Sequence, residues 1–220
     1  MAPRVLVTEG DSPLSAALAR LFVSKGCAVA TTTSRTGGSG EREGGAFLSI
    51  PWNRRSPVSA HTVLLSALNA LEDLDDAFIL EAPVSLTSPL HEAASADIER
   101  AFDDAKGAVF MAREVLGYLL RRGSGVLCMV SFSPAGETPR VVTGLREGFR
   151  GFASSLLAGH PDPPPIVNGF QANGASPEEF AAFIDRTLEE KARRISGRWF
   201  TLQPRGGFFQ GVLSTSVRRG

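Results

Sequence analysis

A chain of 220 residues, 43% hydrophobic and 21% charged, can bury one sizeable core and has the composition of a soluble globular protein. Lys+Arg and Asp+Glu both total 23, so no charge excess points to a nucleic acid or an anionic membrane as partner. The N-terminus enters an apolar strand without a signal-peptide pattern, and no apolar run reaches membrane-spanning length. Cys27 and Cys128 lie in apolar, strand-like runs and read as buried reduced thiols. These features predict a cytoplasmic protein with a single domain over residues 1–220.

In chain order, RVLVT reads as a strand, TEGDSPLS as a turn, and the residues to Phe22 as an amphipathic helix. CAVATTT and AFLSI are the next strands, separated by the loop TGGSGEREGG, Thr36 to Gly45. DAFILEA, GVLCMVS, PIVNGF and RWFTLQ follow, with PDPPP as a rigid lead into the sixth strand. Helices open on Ser-Pro at Ser12-Pro13, Ser56-Pro57, Ser88-Pro89 and Ser176-Pro177: serine accepts from a free amide, and proline has no N–H to leave unpaired. Ser176 and Glu179 have the spacing of a capping box. Strands joined through helices predict an α/β fold, a doubly wound, mostly parallel sheet of about seven strands with helices on both faces.

Longer stretches carry a resemblance. DAFILEAP, DDAKGAVFMAREVLGYLLRRGSGVLCMVSFS, VVTGLREGFRGFASSLLA and SGRWFTLQPRGG occur in the order of the corresponding segments of short-chain dehydrogenase/reductases. The chain therefore resembles that family over nearly its whole length, which implies a Rossmann-type domain and a nicotinamide cofactor. The family's first turn is Thr-Gly-x-x-x-Gly-x-Gly, and its glycine places fall here on Glu9, Pro13 and Ser15. Glu9 sets a carboxylate near the pyrophosphate unless it turns away, Pro13 removes a donor, and Ser15 adds bulk. The turn reads as a helix start capped by Asp11 or Ser12, and the dinucleotide is expected to bind weakly or not at all.

The cofactor contacts that the resemblance leaves are Thr8, Gly10, Asp11, Ser12, Leu14, Arg35 and Ala82. Ser34-Arg35, at the end of the second strand, leans toward NADP if a dinucleotide binds; otherwise Arg35 is a solvated loop residue. LEAP replaces Asn-Asn-Ala-Gly, so Leu80 or Glu81 stands where the family has asparagine. The resemblance puts the catalytic tyrosine on Val142, the lysine on Arg146 and the relay asparagine on Asp104. Its serine falls on Phe132 counted from Gly125, or on Ser133 counted back from Gly136. Valine has no proton to give, and Arg146 can hold an anion but cannot act as an acid near neutral pH. Tyr118, the one tyrosine, reads as a packing or interface residue. NGFQANGASPEEF passes from strand to helix with no room for a long closing segment. His61, His91 and His160 lack ligand spacing, so no metal is expected.

The expectation is a short-chain-dehydrogenase-like protein acting by binding, assembly or sensing. Its rival is an NADP-dependent oxidoreductase with relocated groups, Ser133 with Asp104 or Arg146. A homodimer or homotetramer is expected through two long helices. One carries an apolar stripe of Phe102, Val109, Leu116 and Leu120; the other carries Val141, Leu145, Phe149, Phe152 and Leu156. Val142, Gly148 and Phe170 lie off the second stripe, which would leave apolar surface to cover.

Overall fold

The predicted apolar runs form strands because their Val, Ile, Leu and Phe side chains are buried by helices from both sides. The structure, a computed structural model, describes residues 3–34, 42–43, 47–82, 88, 91–134 and 140–203, with backbone alone at 42–43 and 140. The strands are β1 (Arg4–Val7), β2 (Ala28–Thr33), β3 (Arg42–Glu43), β4 (Phe47–Pro51), β5 (Asp76–Leu80), β6 (Val126–Ser133), β7 (Ile166–Asn173) and β8 (Trp199–Leu202). The sheet order is β3-β4-β2-β1-β5-β6-β7-β8, parallel throughout except for β3 against β4. β3 corrects the sequence reading, which assigned its residues to a loop.

The helices are α1 (Pro13–Ser24), α2 (Pro57–Leu71), α3 (Ser95–Arg122), α4 (Arg140–Gly159) and α5 (Pro177–Thr187), the last continuing into a π-helical turn, Leu188–Ala192. Three predicted Ser-Pro starts hold. Ser12 Oγ accepts from Ser15 N–H at 3.2 Å, Ser56 Oγ from Ser59 N–H at 3.2 Å, and Ser176 with Glu179 closes its box at 3.1 and 3.0 Å. Ser88 opens no helix: α3 starts later, after Ala94, which has no capping oxygen in its side chain. Pro89 lies outside the described residues.

α1 and α5 cover one face over Phe78, Phe170 and Phe180; α2, α3 and α4 cover the other over Leu64, Met111 and Leu119. Each such side chain, fully buried, contributes about 1.5–3 kcal/mol relative to exposure. On α4 the core-facing residues are Val142, Phe149, Ala153 and Leu157. This turns the helix by about one residue from the predicted stripe. Val142 and Phe170 are therefore covered by the chain itself, correcting the expectation that they need other cover.

Chain order runs outward from β1 through β2 to β4, then jumps back to β5 and proceeds to β8. The reversal between β1 and β5 opens a crevice at the C-terminal ends of the strands, where doubly wound sheets bind ligands. From β7 to α5 the chain spends only Gly174 to Ser176, so the short connection expected from the sequence is present.

Candidate functional site at the C-terminal edge of the sheet

The first turn keeps the backbone shape of a glycine turn without the glycine. Glu9 has φ +60°, a left-handed conformation that costs an L-residue roughly 1–2 kcal/mol. Its side chain, 1% exposed, turns inward to a bidentate pair with Arg54, with Nε–Oε1 at 2.9 Å and Nη2 on Oε2. The carboxylate does turn away, so its negative charge is met inside the protein by a cation. Burial pushes the Glu9 carboxyl above its ordinary range, and Arg54 opposes that shift. The Arg54 guanidinium also lies 5.5 Å from the centre of the Trp52 ring. Gly107 on α3 leaves room for it: a Cβ there would stand 2.7 Å from Arg54 Cβ.

A second pair closes the ends of β5 and β6. Glu81 Oε1 accepts from Arg146 Nε at 2.7 Å, and Glu81 Oε2 accepts from Ser131 Oγ at 2.8 Å. Arg146 Nη1 donates to Ser133 Oγ at 2.9 Å. The pair is enclosed, with Arg146 15% and Glu81 13% exposed. Burial raises the Glu81 carboxyl, opposed by Arg146 and Ser131. Val142, one helical turn before Arg146, is buried and presents only methyl groups.

Of the predicted catalytic residues, the structure brings Ser133 and Arg146 together, with Glu81 between Arg146 and Ser131. Asp104 stands elsewhere: its charge acts on Glu9 and Arg54. Arg54 and Ser131 were missed by sequence reasoning. A carboxylate at a turn position that must be enclosed was the one signal calling for a cation such as Arg54, but nothing local said which.

The predicted cofactor contacts are mostly committed to the fold. Thr8 is buried, its Oγ1 accepting from Leu80 N–H at 2.9 Å. Leu14 is in the core, and Ser12 caps α1. Gly10 donates its N–H to Thr32 O at 2.7 Å, and a Cβ there would stand 2.4 Å from that oxygen. Asp11 is exposed and bound to the end of β2. Ala82 is half-buried, and Arg35 lies outside the described residues. Pro13 withholds an amide, and Ser15 is fully buried with its hydroxyl unpartnered among the described residues. An unsatisfied buried hydroxyl costs about 1–3 kcal/mol. These residues do not fit the pyrophosphate of a dinucleotide as a glycine turn does.

The opposite, N-terminal edge carries a more open charge cluster. Arg4 and Arg122 both pair with Asp73 and Asp75, and the Tyr118 hydroxyl donates to Asp73 Oδ1. Tyr118 thus packs and anchors, as its place in the sequence suggested. Arg193 pairs with the buried Asp76. Arg4, Asp75, Arg122 and Arg193 line an open recess of about 450 Å³, far from the crevice at the switch point. Each of these guanidiniums already holds a carboxylate. Among the described residues no three His, Cys, Asp or Glu side chains are grouped to hold a metal, and no helix is long and apolar enough to cross a membrane. Both cysteines are free thiols.

No family model and no curated protein matches the chain. Solved structures do. A short-chain dehydrogenase/reductase from Serratia marcescens aligns with TM-score 0.72 and 19% identity, covering 92% of this chain and 96% of the other. A 3-ketoacyl-(acyl-carrier-protein) reductase from Brucella melitensis, complexed with NADH, gives 0.75 and 13% over 90% and 95%. Levodione reductase gives 0.73 and 12% over 92% and 96%.

Proposed function

The fold is that of the short-chain dehydrogenase/reductases; we propose that on it this chain acts by binding or assembly and transfers no hydride. One observation supports the reading: of the residues that the resemblance puts at the lysine's and the tyrosine's places, Arg146 is bound to Glu81 and Ser133, and Val142 is buried. Hydride transfer to a carbonyl needs a proton donor at the developing alkoxide. Valine has none, and an arginine stays protonated at neutral pH. A positioned acid supplies roughly 10²–10⁴-fold in rate, and a site without one gives up that acceleration. A panel of ketones and alcohols with NADH, NADPH and their oxidised forms, followed at the nicotinamide absorbance, should stay at background.

A second reading rests on the Ser133–Arg146 hydrogen bond and on the raised Glu81 carboxyl beside it: a relocated acid in a nicotinamide-dependent oxidoreductase. Turnover lost in Glu81→Gln and Ser133→Ala would establish that reading and overturn the first.

Assembly is proposed through α3 and α4 as a homodimer or homotetramer in a reducing, cytoplasmic compartment. Phe102, Val109 and Leu120 on α3 stand 58%, 38% and 50% exposed, an apolar row that a symmetry mate would cover. Light scattering should give a multiple of the 23.3 kDa chain mass, reduced to the monomer by Phe102→Glu. A monomeric wild type overturns the assembly.

A further inference from the structure

At the N-terminal edge the carboxylates are used up as acceptors, while the guanidiniums around them are not used up as donors. Asp75 Oδ2 accepts from the Arg4 N–H and from Arg4 Nε, both at 2.9 Å; its Oδ1 accepts from Arg4 Nη2 at 3.1 Å and Arg122 Nη2 at 2.7 Å. Asp73 Oδ1 accepts from the Leu74 N–H at 2.7 Å and from the Tyr118 hydroxyl, and its Oδ2 stands 2.9 Å from both Arg4 Nη2 and Arg122 Nη2. A carboxylate offers about four lone-pair sites, so these two are full. Asp76, 1% exposed, is closed off under Arg193 Nη1 and Nη2. A guanidinium has more N–H groups than these bonds use. Arg4 Nη1, Arg122 Nε and Arg193 Nε have no partner among the described residues.

The recess of about 450 Å³ lies among those donors. Arg4, Arg122 and Arg193 all line it, but of the three carboxylates that they hold only Asp75 does. A ligand that enters must bring acceptors, because a cation would meet no carboxylate oxygen with a free lone pair. The rest of the wall includes Pro3, Val126 and Ile166, and the exposed Ser124 hydroxyl, which has no partner among the described residues, stands at the rim. We propose that this recess binds a small organic phosphate, whose oxygens accept from the spare N–H groups of the three arginines and whose organic body lies on the apolar wall. The volume is in the range of small-molecule sites. Phosphate suits the arrangement better than a carboxylate, because its oxygens point in several directions and can meet several guanidiniums, whereas a planar carboxylate matches one fork. The recess is at the opposite end of the strands from the crevice, so the proposal stands or falls independently of what the crevice does.

The test is calorimetric titration of phenyl phosphate, inorganic phosphate and phenol into wild type, Ser124→Glu and Val58→Glu at low ionic strength, with thermal unfolding to confirm that each variant is folded. Ser124→Glu sets a carboxylate at the rim against the three guanidiniums. Val58→Glu adds the same charge to the exposed first turn of α2, at the other end of the sheet. Phenyl phosphate is expected to bind wild type at one site with a Kd of about 1 mM or tighter, at least about tenfold more weakly in Ser124→Glu, and within about threefold of wild type in Val58→Glu. Inorganic phosphate should bind more weakly than phenyl phosphate, and phenol should not bind. In wild type alone, the methyl resonances of Val126 and Ile166 should shift with phenyl phosphate, a readout that needs no variant. Absence of saturable binding overturns the proposal, and so does equal weakening by both variants, which would report net charge and no site. Binding untouched by Ser124→Glu, methyl shifts confined to other residues, or equal affinity for inorganic phosphate or for phenol overturns it as well.

Discussion

At the N-terminal edge of the sheet, Asp73 and Asp75 remain about a quarter exposed among Arg4, Arg122 and the Tyr118 hydroxyl; at the C-terminal edge, Glu9 and Glu81 are enclosed with one guanidinium each. Arg4 and Arg122 hold the Asp75 carboxyl well below the carboxylate range. Burial acts against Asp73, but the Tyr118 hydroxyl, the Leu74 N–H and both arginines outweigh it and lower that carboxyl too. Glu9 and Glu81 move the other way, because desolvation exceeds what one cation returns. Asp76, deeper than its neighbours and bound to Arg193, is raised by the same burial. The partly exposed cluster thus ties β1, β5 and α3 together at little desolvation cost. The enclosed pairs hold charge at the C-terminal edge, where a well-packed apolar pair would be as stable or more so.

The largest difference should appear when one partner is removed. Arg54→Met leaves Glu9 enclosed and unpaired, and denaturant unfolding should register a loss of about 3–5 kcal/mol. Adding Glu9→Gln to the same chain should recover most of it. A loss no greater than that of an exposed pair would erase the contrast between the two edges.

A smaller effect, with its own pH signature, belongs to the open cluster. Asp75→Asn should cost about 1–2 kcal/mol at neutral pH, since it removes charge-assisted bonds that water partly replaces. Lowered carboxyls stabilise the fold above their unfolded pKa, near 4, and that contribution is lost as pH falls through and below it. Raised carboxyls have the opposite sign: they favour the fold at low pH and lose that contribution as pH rises through their folded values. Wild type should therefore lose stability between about pH 4 and pH 2, and Asp75→Asn should lose less over that window in unfolding measured at pH 7 and at pH 3. An acid limb as steep in the variant as in wild type would remove Asp75 from the account.

The smallest effect contrasts two left-handed glutamates. Glu72 ends α2 at φ +68° and is exposed, while Glu9 at φ +60° is tied to Arg54. Glu72→Gly should stabilise the protein by about 0.5–1 kcal/mol, because glycine relieves the strain at a helix terminus. Glu9→Gly relieves the same strain but strands Arg54, so it should destabilise. Thermal unfolding that moved both variants in the same direction would contradict the distinction.

How much of this was legible in the sequence follows from the range of the interactions. Strands such as the wholly buried Asp76–Leu80 announce themselves through continuous apolar runs, and serine caps act within three residues, so both could be read. Ser88 begins the same local signature, but α3 starts only after Ala94, which has no capping oxygen in its side chain. The face of α4 was misread because the pattern leaves a choice. Val141 and Val142, like Leu156 and Leu157, are adjacent apolar residues, and only the sheet beneath decides which of each pair turns inward. In the site, the turn without its glycines was visible in the residues themselves. Arg54 on Glu9 and Arg146 on Glu81 join positions 45 and 65 residues apart, and no periodicity or spacing reports such a pairing.

The most direct measurement is a double-mutant cycle on Glu81 and Arg146, using Glu81→Gln, Arg146→Met and both together in denaturant unfolding at neutral pH. If the two hold one another, each single variant should lose several kcal/mol, about 3–5 for Arg146→Met, and the double variant should lose much less than their sum. Additive losses would show that Glu81 and Arg146 do not hold one another, and the enclosed pair at the centre of this account would not exist.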